Sequence, residues 1–403
     1  MAATIVRIAS ICLFGCLAAA VALKVSVAGV FAESRPATAL AWTPDNALAQ
    51  SSMATRLLAA DLVPDGRRLA LLSMARSPVN IAALRNLATA AGAVGEHASE
   101  ARLFSLANRM SRRDRSTQIW LIRQAFQNGD YDGAIHSFDI AMRTSARATE
   151  YLAPIVVAAT ADRRTLPPLA TALARNPDWR TDLLRALVYA GPNLEHVALL
   201  IRGRLDPSAP ADREALQTFL NRLVQQERFD LAWIVYQSAV PGRGSAVAAL
   251  RNGDFEQSGG FVPFDWSLTD EGDLLAVRGA RPDGRPGAAL SLVARNNRAG
   301  PLARQLIRLA PGRYRIVFEA GSIPASPADR PRLTLGCATG GQVLGELRPA
   351  AAGETAQRVV GSIVIPQACR WQWLTISLNS GDASGDIDPW IDNLAIQTLP
   401  ATG

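Results

Sequence analysis

Lysine is nearly missing from these 403 residues: Lys24 is the only one, so arginine supplies 41 of the 42 basic side chains. No dense basic stretch interleaved with aromatics occurs, which argues against nucleic-acid binding. Histidine is as scarce: only His97, His136 and His196 are present, none in a nucleophile motif, so a Ser/His/Asp enzyme is not indicated. Gly340-Gly341 opens no phosphate loop. The carboxylates Asp382, Asp386 and Asp388 lie in a Gly/Ser-rich stretch that reads as a solvated loop, not as an acid/base pair. With 19% charged and 49% hydrophobic residues the chain is too apolar for disorder, and it is long enough for two or three domains.

Long apolar runs are absent except at the start. Residues 8–23 carry no charge, Arg7 precedes them, and Lys24 is followed by a further apolar stretch, residues 25–32. This reads as a signal anchor or a cleavable signal peptide over residues 1–32. Val30 and Ala32 supply small residues for a cut, whereas a span of about 20 apolar residues requires Lys24 to snorkel. The expected location is a bacterial inner membrane, single pass, with the bulk in the periplasm, or the periplasm after cleavage. Cys337 and Cys369 are the only cysteines beyond that segment. In an oxidising compartment the pair reads as a disulfide, the alternative being two buried thiols. No histidine stands at metal spacing from either, so zinc is not indicated.

Residue 250 divides the chain. The first part holds 27 basic and 20 acidic residues and 11 of the 30 glycines; residues 251–403 hold 15 of each charge and 19 glycines. The first part is rich in Ala, Leu and Arg and reads as helix over residues 44–246. Within it Phe104 and Phe138, and Ala107 and Ala141, are spaced 34 residues apart, as are Gly95 and Gly129. Ala134, Phe138 and Ala141 share one helix face at i, i+4 and i+7, where small Ala admits a paired helix closely and Phe fills the gap between hairpins. This segment resembles the second helix of a tetratricopeptide repeat. Glu100, where Ala is expected, and Ile122 and Ala125, where Gly and Tyr are expected, depart from that pattern. Ala232 and Tyr236 repeat the Ala-aromatic spacing further on. The resemblance implies an α-solenoid whose groove binds a protein partner and which carries no chemistry of its own.

From residue 251 the period changes to two. Tyr314, Ile316 and Phe318, and Leu374, Ile376 and Leu378, alternate with polar or smaller residues as half-buried strands do. Seven or so such strands, at 289–293, 305–309, 314–318, 333–337, 359–365, 374–378 and 393–399, predict an antiparallel β-sandwich. Asn252-Gly253-Asp254-Phe255-Glu256 with Trp266, then Pro311-Gly312-Arg313-Tyr314, then Ile391-Asp392-Asn393-Leu394 resemble, in that order, the landmarks of galactose-binding-like, jelly-roll carbohydrate-binding modules over residues 251–400. That resemblance implies a structural calcium on Glu256 and Asp392, whose hard oxygens suit the ion. It also implies a saccharide platform. Parity places Trp371 and Trp373 on the face opposite Leu374, with Trp266 in a loop; either they stack on a sugar or another segment covers them.

The fold class expected is thus multidomain α + β: a membrane segment, an α-solenoid of tetratricopeptide-like hairpins and a C-terminal jelly roll. The layout resembles tetratricopeptide proteins of bacterial surface-polysaccharide systems. It implies a non-catalytic adaptor that binds a partner protein through its helices and a glycan through its sandwich. The rival readings are a purely structural interaction module with no sugar ligand, and a glycan-processing enzyme.

Overall fold

The computed structural model describes residues 2–144, 148–240, 250–379 and 388–400, in two compact units, Met1–Leu183 and Leu184–Gly403. The sequence boundary at residue 250 therefore falls inside the second unit. Asp382, Asp386 and the end of the expected helical domain at residue 246 lie outside the described residues.

The first unit opens with α1 (Ala2–Phe31) and α2 (Pro36–Trp42). Among the described residues no helix is long and apolar enough to cross a membrane, which overturns the expected single-pass anchor. The physical reason lies in the run itself. Sixteen uncharged residues rise about 24 Å as helix, short of the roughly 30 Å of hydrocarbon in a bilayer. Beyond Lys24 the helix turns to protein packing: Ala28 and Ala32 are fully buried, and Ala32 clusters with Ala39 and Ala49.

Three helical hairpins follow at a fixed interval. They are α3 (Ala47–Ala59) with α4 (Val63–Arg76), α5 (Ile81–Ala93) with α6 (His97–Met110), and α7 (Arg115–Gln127) with α8 (Tyr131–Thr144). Each first helix starts 34 residues after the last, and each is capped by a side chain that accepts from the backbone N–H three residues on. Asn46 accepts from Ala49 at 2.9 Å, Asn80 from Ala83 at 3.2 Å and Asp114 from Thr117 at 3.0 Å. Their C-terminal ends turn through a left-handed residue at equivalent positions: Asp61, Gly95 and Gly129, with φ of 60°, 79° and 74°. Phe104, Ala107, Ala134, Phe138 and Ala141 are all buried between these helices. Glu100 is accommodated because Gly92 has no Cβ to meet its carboxylate, which accepts from the Trp120 indole at 2.8 Å. α9 (Ala148–Ala159), α10 (Leu166–Ala174) and the start of α11 (Arg180–Ala190) complete the unit.

The second unit contains α12 (Leu194–Ile201), α13 (Pro210–Gln225) and α14 (Phe229–Ala239), then β1 (Ser267–Leu268), β2 (Asp270–Glu271), β3 (Leu274–Ala280), β4 (Ala288–Ala294), β5 (Ala299–Ile307), β6 (Gly312–Gly321), β7 (Arg332–Cys337), β8 (Val343–Leu347), β9 (Gln357–Ile365), β10 (Gln372–Asn379) and β11 (Trp390–Thr398). The strands form an antiparallel sandwich, with one sheet ordered β1-β5-β10-β7-β8 and the other β2-β3-β4-β11-β6-β9. Leu290, Leu292, Ile316, Phe318, Leu335, Leu374, Ile376 and Ile391 fill the space between them. The short strands β1 and β2, together with β3 and β8, were not expected. β3 loses its alternation at Arg278-Gly279, and β8 is an edge strand interrupted by Gly345, so neither presents the period-two signal of a half-buried strand. Cys337 and Cys369 form a disulfide that ties the end of β7 to the segment before β10.

The opening and closing segments of the sandwich meet. Leu394 N–H donates to the Gly253 carbonyl at 2.8 Å, and any Cβ at Gly253 would overlap the Leu394 carbonyl oxygen. The Asn-Gly-Asp sequence thus has a packing reason: only glycine lets the two ends approach this closely.

Candidate functional site

The face of the five-stranded sheet turned away from the core is built from alternate residues of its central strands. On β10 these are Trp373, Thr375 and Ser377, whereas Leu374, Ile376 and Leu378 point into the core. Register places Leu306 of β5 and Gly336 of β7 beside Trp373, and Arg304 and Thr334 beside Thr375. Side chains on one row are therefore about 5 Å apart from strand to strand. The Arg304 guanidinium lies over the Trp373 ring, 4.2 Å from its centroid, with the ring half-buried. One aromatic, the cations Arg304 and Arg332 and the hydroxyls of Thr375, Ser377 and Thr334 thus share one face.

Where β10 begins, the face is covered. Trp371 keeps the outward parity expected of it but is 5% exposed, because α14 lies over it. Its ring centroid is 6.2 Å from that of Trp233, 6.3 Å from Phe229 and 5.8 Å from Phe264. Its indole N–H donates to Asp230 at 3.2 Å. Trp371 is therefore corrected from a sugar platform to a packing residue, covered by a helix of the same unit. Trp266 is half-buried: it packs beside Phe255 at 5.4 Å, and its indole N–H donates to the Asn252 carbonyl at 3.0 Å. Between α14 and the sheet a cavity of about 570 Å³ remains, lined by Trp233, Phe264, Leu306, Arg308, Arg370 and Trp371 among others. Its two half-exposed cations share one counter-ion: Asp230 stands 3.2 Å from Arg370 and 3.9 Å from Arg308. Ala232 and Tyr236 of α14 are buried, the Tyr236 hydroxyl donating to Asp265 at 3.1 Å.

The pair expected to hold calcium is engaged otherwise. Asp392 is ion-paired with Arg281, which also reaches Asp283 at 2.9 Å and Glu319 at 2.8 Å and is itself 3% exposed on its side chain. The Arg281 guanidinium holds the Asp283 carboxyl far below the usual carboxylate range. Glu256 accepts from the Ala288 N–H at 2.7 Å. Among the described residues no three His, Cys, Asp or Glu side chains gather as a metal set. Glu256 and Asp392 therefore do not fit a calcium ion: the positive charge beside Asp392 is supplied by an arginine, which a reading of carboxylates alone does not reveal.

Arg304 and Arg308 were also missed. Arg304 alternates with Leu306 on the outward face of β5, a strand that had been expected to start at residue 305, and Arg308 lies just past the end of β5. The cover over Trp371 leaves no sequence signal, since it joins residues more than 130 positions apart.

No protein-family model matches the chain, and no curated protein is significantly similar to it. Solved structures that resemble it are mostly carbohydrate-binding modules. TmCBM61, solved with β-1,4-galactotriose, is 17% identical over 38% of this chain and 98% of its own, with a TM-score of 0.27. The xylan-binding CBM22-1 domain of Xyn10C from Paenibacillus barcinonensis is 14% identical over 37% and 93%, with a TM-score of 0.28. The enzymatically active domain of bacteriophage CBA120 tailspike protein 4 is 12% identical over 38% of this chain, which spans only 21% of that one, with a TM-score of 0.28. At these TM-scores the likenesses carry no argument about ligand or chemistry.

Proposed function

We propose that the chain is a non-catalytic adaptor that binds a glycan on the outer face of its five-stranded sheet and a partner protein along its helical hairpins. The observation that carries the glycan half is the Trp373 row: an aromatic ring beside a guanidinium and three hydroxyls, on a sheet face whose opposite side is the core. A sugar is recognised by such a mixture, apolar contact from a ring and hydrogen bonds from fixed polar groups. The 34-residue spacing of the capped hairpins supports reading the helices as tetratricopeptide-like, which is the basis for a protein partner. The resemblance of this layout to tetratricopeptide proteins of surface-polysaccharide systems is the basis for proposing a place in polysaccharide assembly or export.

Screening the full-length chain on a broad glycan array tests the reading. Binding is expected, and Trp373→Ala should weaken it at least tenfold while the melting temperature stays within about 2 °C, as for a surface change. An array on which no glycan binds would overturn it. The burial of Trp371 under α14 favours the second reading, an interaction module without sugar, and that outcome would establish it.

A further inference from the structure

Most cations of the second unit that lie near this sheet are already compensated. Arg251 pairs with Asp265 at 3.0 Å, Arg348 with Glu346, and Arg308 and Arg370 share Asp230. Arg332, in register with Ser377, donates to the neutral Asn379 side chain at 2.9 Å. Arg304 likewise has no carboxylate within ion-pair distance among the described residues, and its contact is the Trp373 ring. It stands mid-row, with Ser267 on one side and Thr375 then Thr334 on the other. Glu346, in register with Thr334, is three strands away, roughly 14 Å at strand spacing and beyond a Debye length at physiological salt. The Arg304 side chain is exposed, and desolvation on the side that meets the ring pushes its guanidinium down from its ordinary value.

An exposed cation with no carboxylate within reach is open to an anionic group brought by a ligand. Trp373 holds the guanidinium by one face, which leaves the N–H fork along its edge free to donate. That fork matches the two oxygens of a carboxylate.

We propose, resting on the glycan reading above, that this face selects acidic saccharides: a uronate carboxylate is held by Arg304, which Trp373 positions, while Thr375 and Thr334 take neighbouring sugar hydroxyls. Trp373 thereby changes role, from a platform for a sugar ring to the support of the residue that reads charge.

The test is calorimetric titration of the full-length chain with oligomers of galacturonate, glucuronate and mannuronate, each beside the neutral oligomer obtained by reducing its carboxyl groups. Sulfated and phosphorylated oligosaccharides complete the panel. The expected result is one uronate oligomer bound at least tenfold more tightly than its reduced form, with Arg304→Gln abolishing that difference. Arg304→Lys keeps the charge but not the fork and should recover only part of the preference. Equal affinity for acidic and reduced forms in the unmodified chain overturns the uronate proposal and leaves glycan binding standing. So does a preference that survives Arg304→Gln, or tighter binding of the sulfated or phosphorylated members. Failure of every member, neutral and charged, to bind overturns both readings. Circular dichroism and melting of each variant identify any loss that comes from misfolding.

Discussion

Arg281 brings a full positive charge into a pocket of three carboxylates and seals it from water, and the energetics of that arrangement are asymmetric. Forming a buried ion cluster recovers little beyond the desolvation of its members, but removing one member leaves the others charged and unpaired. Arg281→Met is therefore expected to cost about 3–5 kcal/mol, the range for breaking a buried pair, read as a lowered urea midpoint for the full chain. The same cluster sets an acid limit. Asp283 has a folded-state pKa depressed by Arg281 below its unfolded value. Its contribution is complete above the unfolded carboxylate range, near pH 4, and is lost as pH falls below it. Stability should decline below about pH 4 in the unmodified chain and less steeply in Asp283→Asn, followed by thermal melts across that range. Calcium or a chelator should leave the midpoint of the unmodified chain unchanged, because the arginine already supplies the charge beside Asp392; a calcium-dependent rise would show that Asp392 and Glu256 hold the ion after all. None of this was legible from Asp392 and Glu256 alone, since the deciding residue lies 111 positions from Asp392 in a segment with no motif of its own.

At the scale of the element, the helical hairpins were legible because their period is written in small and aromatic residues that must be buried. Phe104 and Phe138, Ala107 and Ala141 cannot move without opening the space between helices, so their 34-residue spacing follows from the packing of each hairpin. The turns carry the same period less visibly. Asp61 occupies the left-handed position that Gly95 and Gly129 fill in the other two hairpins, and a residue with a Cβ pays roughly 1–2 kcal/mol for that conformation. Glycine's larger entropy in the unfolded chain offsets part of this. Asp61→Gly is thus expected to stabilise the chain by about 0.5–1 kcal/mol, detectable as a raised chemical-denaturation midpoint with unchanged slope. A lowered midpoint would mean that Asp61 makes a compensating interaction. Strands were most legible where one face is buried and the other wet, as on β10; the edge strand β8, interrupted by Gly345, carries no such contrast, whereas the edge strand β9 is long enough to show. The Trp residues show the limit of parity. It gave the side of the sheet on which Trp371 and Trp373 lie, but which of them is covered depends on α14, remote in sequence.

For the molecule as a whole, composition divides the chain at residue 250, whereas compactness places α12, α13 and α14 with the sandwich. Phe229, Trp233 and Tyr236 of α14 pack against Phe264 and Trp371, which are otherwise at the surface of the sheet. Each such aromatic buries roughly 150–250 Å², so removing the helix would expose a contiguous apolar patch on the order of several hundred Å², the size associated with aggregation. It would also leave Arg308 and Arg370 without Asp230. A fragment of residues 184–403 is therefore expected to melt cooperatively, while one of residues 251–403, though it retains the sandwich core and the disulfide, should melt at a lower temperature, bind a hydrophobic dye and aggregate at lower concentration. The comparison separates two views of where the domain begins. If the shorter fragment matches the longer in melting temperature and dye binding, the glycine and charge boundary is the energetic one and α14 is an accessory. If it does not, the helix is part of the sandwich's hydrophobic economy, and Trp371→Ala in the longer fragment should reproduce much of the loss, about 3–5 kcal/mol for a buried aromatic, whereas Trp373→Ala should not.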